Sequence, residues 1–285
     1  MPTQQTPISN FQPPVANLEP PKDYLWLNLR DLPYFRSLLR AVEARFYQGF
    51  DLPHPILDVG CGDGHFATVA FDYKLDVGID PWGSPIREAS QRGGYFLLTQ
   101  ADGGHMPFPD ASFNSAMSNS VLEHIPHVEA VLRETGRVLR PGAPFVFCVP
   151  NHQFLSSLSI GRGLDKIGLH GLGDSYRTFF NRLARHIHCD PPEVWQARLE
   201  AAGFRLERWW HYYSPAAMQV SEWGHYFGVP SLITRKLIGR WVLFPSEKNP
   251  ALALTYRLVK PYYEQPQECE DGVCTFFIAR KLGPD

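Results

Sequence analysis

Cysteine is scarce in this 285-residue chain, and its five copies (Cys61, Cys148, Cys189, Cys269 and Cys274) include no CxxC pair. An odd number without metal-ligand spacing speaks against a disulfide framework and gives no zinc motif. It predicts a reducing, cytoplasmic setting. Long apolar runs are lacking too: none approaches the ~18 residues that cross a bilayer. Neither sign of charge dominates, with 27 Lys and Arg against 29 Asp and Glu and a formal net charge of -2. No basic field therefore invites nucleic acid. No internal repeat is visible. The opening MPTQQTPISNFQPPVANLEPPKD has no early basic cluster and no apolar core, so no secretory leader is predicted. Its Pro and Gln content predicts a mobile tail over residues 1–23.

What is present is rhythm. Apolar residues recur at helical spacing from Tyr24 to Phe50, divided at Pro33, with Asp31 as a candidate cap. Residues 24–50 thus form an N-terminal helical cap segment. Short apolar strands then alternate with helical patterns. Strands are predicted over 55–60, 75–80, 95–100, 113–119 and 144–149, and helices over 65–73, 85–92 and 128–139. Such alternation means right-handed crossovers and a parallel sheet. Residues 51–151 form this core. Residues 152–190 show no strand signal and read as an insertion. A helix over 191–202, capped by Asp190, and a sixth strand over 204–213 return to the core, and 273–285 hold the last strand. The 214–272 segment between them is far longer than an ordinary loop of about 4–6 residues, and reads as a structured cap.

The sharpest local signal is Asp58-Val59-Gly60-Cys61-Gly62-Asp63-Gly64 at the end of the first strand. Gly60 and Gly62 let backbone approach a ligand closely. The helix that follows presents free amide donors. The spacing is GxGxG; a dinucleotide turn wants GxGxxG, and His65 stands at its third glycine. Asp80 ends the second strand, in Asp80-Pro81-Trp82, where a carboxylate can accept from both ribose hydroxyls. Asp102, in Asp102-Gly103-Gly104, follows the third strand and can accept from an exocyclic adenine amine. As an isolated feature each is an ordinary turn residue. Together they sit where ligands bind open α/β sheets.

These motifs resemble the class I S-adenosylmethionine-dependent methyltransferases, and within them the subgroup that includes ubiquinone and menaquinone methyltransferases. Ser118-Asn119-Ser120-Val121-Leu122-Glu123-His124 and Arg137-Val138-Leu139-Arg140-Pro141-Gly142-Ala143 extend the match, which covers residues 54 to 151 well. Asn114 departs from the usual aspartate, and the long segment before the last strand departs from the usual short hairpin. The resemblance implies a Rossmann-like, doubly wound α/β fold. Its seven-stranded sheet would be mostly parallel, with the last strand antiparallel and a helical cap inserted. S-adenosylmethionine would be the cofactor. Asp58 would orient the turn or reach the methionine ammonium through water. Gly60, Cys61 and Gly62 would hold the amino-acid portion, and Asp80 with Pro81 the ribose. Trp82, Asp102 and Gly103 would enclose adenine, and the Asn119 carbonyl would face the ammonium.

Methyl transfer needs an in-line nucleophile and exclusion of water. His152, after the fifth strand, and His124, after the fourth, are the candidate bases; each can equally be structural. His186-Ile187-His188-Cys189-Asp190 is the densest metal-like cluster, its alternating residues facing together if it were a strand. No second cluster supports it, and no metal is predicted. Residues 230–263 carry six basic residues against Glu247, interleaved with Leu232, Ile233, Leu237, Ile238, Trp241, Leu243 and Phe244. This reads as a cap packing its apolar face on the sheet, with peripheral membrane contact as the alternative. The expected partner is a small-molecule acceptor, small to medium in size and partly apolar. Two rivals stand beside the enzyme: a non-catalytic cofactor-binding scaffold or sensor, and an NAD-dependent oxidoreductase. Oligomeric state stays open.

Overall fold

The computed structural model describes residues 22–48, 50–239, 241–242, 244, 246 and 248–283. Of the tail expected over residues 1–23, residues 1–21 lie outside the described residues, as do Arg240, Leu243 and Glu247 and the side chains of 230, 232 and 238; Lys22 and Asp23 are instead held, by Asp72 at 2.8 Å and by the Trp26 amide at 2.9 Å. Seven strands form one sheet: β1 (Ile56–Val59), β2 (Leu75–Asp80), β3 (Tyr95–Gln100), β4 (Ser115–Asn119), β5 (Pro144–Pro150), β6 (Phe204–Tyr212) and β7 (Cys274–Lys281). Their order is β3-β2-β1-β4-β5-β7-β6. β7 runs antiparallel to both neighbours, and the pairs from β3 through β5 are parallel. All four β1 residues are buried, as a central strand covered on both faces requires.

Each face carries its own core. On one, α1 (Tyr24–Leu29), α2 (Tyr34–Tyr47), α3 (His65–Ala70) and α4 (Gly83–Arg92) supply buried Leu25, Leu38, Phe46, Ala67 and Ala89. On the other, α5 (Val128–Val138) and α8 (Pro192–Ala201) pack Leu132, Trp195 and Leu199 against Phe145, Phe147 and Phe277. The Phe147 and Phe277 rings stack with centroids 4.8 Å apart across the β5–β7 pair. Asp31 does not cap α2, which begins at Pro33 without a side-chain cap. Asp190 does not cap α8 either; it accepts from Arg198 Nη1 at 2.6 Å, and Pro191 holds the cap position.

The two insertions are helical. Residues 152–190 hold α6 (Ser159–Lys166) and α7 (His170–Ala184), and 214–272 hold α9 (Pro215–Phe227), α10 (Val229–Ile238) and α11 (Pro250–Tyr263). Glu222 of α9 is wholly buried and accepts from the Ser159 and Ile160 amides, at the start of α6 and from Tyr176 Oη of α7 at 2.6 Å. One carboxylate therefore joins both insertions and satisfies orphan amides at a helix start. The expectation that the late segment packs down on the sheet needs correction. α9 and α11 lie on α2, and α11 also on α1. Gly224 makes the α9–α2 approach possible, since a β-carbon there would stand 2.5 Å from Phe35 Cβ. Helices α1 and α2 stand between this segment and the sheet, and their apolar faces are already committed to it. Among the described residues no helix is long and apolar enough to cross a membrane.

Candidate cofactor and acceptor site

The turn after β1 is built from left-handed backbone. Gly60, Gly62 and Gly64 have φ of 83°, 54° and 73°. Gly60 is barred from a side chain by protein packing, because a β-carbon would meet Val121 Cγ1 at 2.4 Å. Gly62 is different: no atom lies within 4 Å of its absent β-carbon. Space is kept open there. The Gly60 and Cys61 amides both donate to the Ile79 carbonyl, at 2.9 and 2.8 Å. That pair locks the turn to the end of β2, and the Cys61 carbonyl in turn accepts from the Gly64 amide at 3.1 Å. Burial pushes the Cys61 thiol well up, so it is inert. His65 fills the position of a dinucleotide turn's third glycine with a buried ring bonded to Asn28 Oδ1 at 3.0 Å. Burial drives its pKa down to about 4. The neutral imidazole is packed structure, and no small residue is present for a pyrophosphate.

Asp58 lies within β1, buried, and accepts from Tyr95 Oη at 2.6 Å. Asp80 accepts from the Gly62 amide at 3.1 Å and the Trp82 amide at 2.9 Å. Burial raises its pKa against these hydrogen bonds. A carboxylate has about four acceptor sites, so two remain. Pro81 and Trp82 project into solvent, the indole 71% exposed. Asp102 is exposed and spends Oδ1 on the Gly104 amide at 2.9 Å. Gly103 sits against Val131, which a β-carbon would approach to 3.3 Å. The parallel β3-β2-β1-β4 order thus brings Gly62, Asp80, Asp102 and Asn119 to the same end of adjacent strands.

Asn119 brings in two residues that the motif reading missed. Its carbonyl accepts from Arg40 Nη1 at 3.3 Å, and its amide nitrogen donates to Glu43 Oε2 at 2.6 Å. Arg40 and Glu43 pair at 2.9 Å. Glu43 is fully buried and also accepts from Ser120 Oγ at 2.7 Å and Tyr212 Oη at 3.0 Å. Four donors satisfy a charge that would otherwise be costly to bury. Ser120 holds left-handed backbone, φ 50°, beside this network. The available signal was the charge of Arg40 and Glu43 on an otherwise apolar helix stripe.

His124 donates from Nδ1 to the Arg185 carbonyl at 2.9 Å, which leaves Nε2 as an acceptor. Burial lowers its pKa. His152 is exposed just beyond β5, its ring 6.1 Å from that of His211. Residues 186–190 form no strand, and the expected facing cluster does not exist. His188 turns to the Ile125 carbonyl at 3.0 Å. His186 instead approaches His124, with ring centroids 5.3 Å apart. A continuous aromatic wall runs from there through Phe154, Phe180 and His225 to Phe35.

The residues suit one class of ligand. A purine nucleoside bearing an amino acid needs a side-chain-free bend, a carboxylate for the ribose diol and another for the exocyclic amine. It also needs a carbonyl and a cation at its amino-acid end. Gly62, Asp80, Asp102, the Asn119 carbonyl and Arg40 meet those needs in kind.

Comparison with known proteins agrees. Residues 57–147 match the family model described as Methyltransferase domain. An uncharacterized methyltransferase of Mycobacterium sp. (strain JLS) is 36% identical over 90 residues, covering 30% of this chain and 35% of the relative. A demethylmenaquinone methyltransferase of Tropheryma whipplei (strain Twist) is 32% identical over 100 residues, covering 34% and 42%. The chain therefore spans well under half the length of these curated relatives. Among solved structures, the [4+2]-cyclase SpnF superposes with TM-score 0.53 at 18% identity, covering 87% of this chain and 82% of that one. A putative sarcosine dimethylglycine methyltransferase from Galdieria sulphuraria gives 0.51 at 14% identity, covering 86% and 84%. At such identities the likeness shows the fold. Residues 57–147 are a methyltransferase domain of the class I S-adenosylmethionine-dependent kind, set in the seven-stranded sheet of that fold, with S-adenosylmethionine as its cofactor.

Proposed function

We propose that the chain transfers a methyl group from S-adenosylmethionine, by in-line displacement, to a small or medium-sized, partly apolar acceptor. The observation that carries this reading is the open space at Gly62 after β1, on the same side of the sheet as the Asp80 and Asp102 carboxylates at the ends of β2 and β3. When bound, the cofactor supplies a methyl made electrophilic by its sulfonium. Asp80 accepts the ribose hydroxyls on its two remaining lone-pair sites, beside Pro81. Asp102, Gly103 and Trp82 hold the adenine. Backbone of Gly60, Cys61 and Gly62 holds the amino-acid portion, the Asn119 carbonyl faces the ammonium, and Arg40 faces the carboxylate. Asp58 keeps the turn in place from inside β1. His124, through Nε2, and His152 are the groups we assign to take a proton from an oxygen or nitrogen acceptor.

The aromatic wall from His124 to Phe35 supports a partly apolar acceptor. Closure over the site falls to α10, whose Arg235 meets Glu88 of α4 at 2.5 Å. Trp241 lies over the Arg36 and Arg235 guanidinium groups, at 5.3 and 6.0 Å. Exposed Ile233 and Leu237 beside Lys236 suit a membrane-surface contact through 230–263 as a further part of the proposal.

Calorimetry with S-adenosylhomocysteine tests the reading. Binding in the micromolar range is expected, weakened at least tenfold by Asp80→Ala in protein of unchanged circular dichroism. No heat at millimolar ligand with folded protein would end it. One fold hosts many functions, so the rival is a site that binds the cofactor without transferring its methyl. That rival predicts binding without transfer of labelled methyl to any of a panel of phenolic, amine and quinol acceptors.

A further inference from the structure

Glu123 and His124 follow β4, while His186 follows α7, 62 positions further along the chain. Folding brings one ligand-type atom from each within 4.8 Å of the others. We propose that these three side chains form a binding site for one divalent first-row transition ion, of the zinc type, beside the acceptor end of the sheet. The inference does not rest on methyl transfer and stands or falls separately from it.

Four observations converge. Glu123 is 2% exposed, and its Oε2 has no hydrogen-bond partner. A buried carboxylate oxygen left unpaired costs on the order of 1–3 kcal/mol, so such an atom demands an explanation. A cation held by both oxygens of this carboxylate supplies the missing partner. Second, Glu123 Oε1 lies 3.6 Å from His124 Nε2. That is too long for a hydrogen bond, but two atoms each ~2.1 Å from a tetrahedral ion stand about 3.4 Å apart. Third, the His124 ring is already oriented. Its Nδ1 donates to the Arg185 carbonyl at 2.9 Å, the usual arrangement for a metal-bound imidazole, which leaves Nε2 unprotonated 3.6 Å from Glu123 Oε1. Fourth, the His186 loop is tied to Glu123 through the backbone. The Ile187 and His188 amides both donate to the Glu123 carbonyl, at 2.7 and 3.1 Å. Cys189 Sγ lies 3.7 Å from His186 Nδ1 and steadies the second ring. The positions of the ligands are thus set by contacts that do not use the ligand atoms.

Two imidazoles and one carboxylate suit zinc or a neighbouring transition ion and disfavour magnesium, which prefers an all-oxygen octahedron. Three protein ligands leave a coordination position open for water or an acceptor oxygen. With the ion bound, His124 Nε2 has no lone pair left to take a proton, and His152 is the remaining histidine for that task.

The test uses full-length protein stripped by chelator dialysis and titrated with zinc chloride in a calorimeter. One ion per chain at micromolar affinity or tighter is expected, undisturbed by 5-millimolar magnesium. His186→Ala and His124→Ala should each weaken binding about a hundredfold. His186→Ala should keep wild-type circular dichroism and S-adenosylhomocysteine affinity, which separates loss of the site from loss of the fold. His188→Ala should bind zinc as wild type does. The proposal is overturned by absence of zinc binding, by unchanged affinity in His186→Ala, by loss in His188→Ala alone, or by displacement with magnesium. Failure of S-adenosylhomocysteine binding in the wild type would instead count against the cofactor reading.

Discussion

Asp58 pairs a charge with a place that resists charge. Burial pushes its pKa up to about 7, against the hydrogen bond from Tyr95 that favours the ionised form. An unfolded aspartate titrates near 3.9. Between those values the native state holds a proton that the unfolded state has released, so stability falls as pH rises, by on the order of 1.4 kcal/mol per pH unit for a full proton. The contribution is complete below about pH 4 and is lost by about pH 7. Asp58→Asn removes the titration and keeps an acceptor for Tyr95 Oη. Its melting temperature should exceed the wild type's at pH 8, with the gap closing towards pH 4.5; parallel curves would refute this assignment. Residues of this kind mark how far the sequence could be read. The strand-end placement of Gly62, Asp80 and Asp102 was legible because it is local to turns, and their cofactor roles remain part of the proposal. Arg40 and Glu43 were not, because they reach Asn119 across 79 and 76 positions and carry no motif of their own. His186 was read with its sequence neighbours, whereas packing gives it to His124.

Elements were legible where periodicity and burial agree. β1 to β5 fall within two residues of their expected bounds, and β1, β2 and β5 are short, largely apolar runs closed by glycine, aspartate or proline. Helix α3 ends at Ala70, three residues short of expectation, because Phe71 turns to extended backbone. The insertions were less legible, since α6, α7 and α9 lean on one another and on α2 rather than on the sheet, so no strand–helix alternation announces them. Glu222 is where that arrangement can be tested. Ser159 Oγ, its amide, the Ile160 amide and Tyr176 Oη all donate to this one buried carboxylate. Glu222→Ala strands those donors, at a cost of about 3 kcal/mol or more. Thermal unfolding should begin earlier, with helical signal lost first. Affinity for S-adenosylhomocysteine should change less than threefold, because the cofactor's strand ends do not touch α6. Equal loss of both signals in one transition would show instead that the insertions and the sheet unfold as a unit.

For the whole molecule, the matched domain at 57–147 is less than the folded body. Its last strand, β5, pairs along seven positions with β7, which is 124 residues or more downstream. On one face β5 meets Phe276 and Phe46, and on the other Phe277 and Trp195, all four supplied from outside the matched segment. A chain cut to 57–147 would expose this apolar edge and leave Asn119 without Glu43 or Arg40. It should therefore be unfolded or aggregated in circular dichroism and light scattering, although it contains the whole glycine turn. The full chain should behave differently under ligand. On the proposed site S-adenosylhomocysteine binds where β1, β2, β3 and β4 meet, so at a hundred times its dissociation constant it should add about 2.7 kcal/mol to native stability. At roughly 2–4 °C per kcal/mol, the melting temperature should rise by about 5–10 °C. Should the 57–147 fragment fold and show the same shift, the outer segments would be separable additions, and Arg40 would have no part in holding the cofactor.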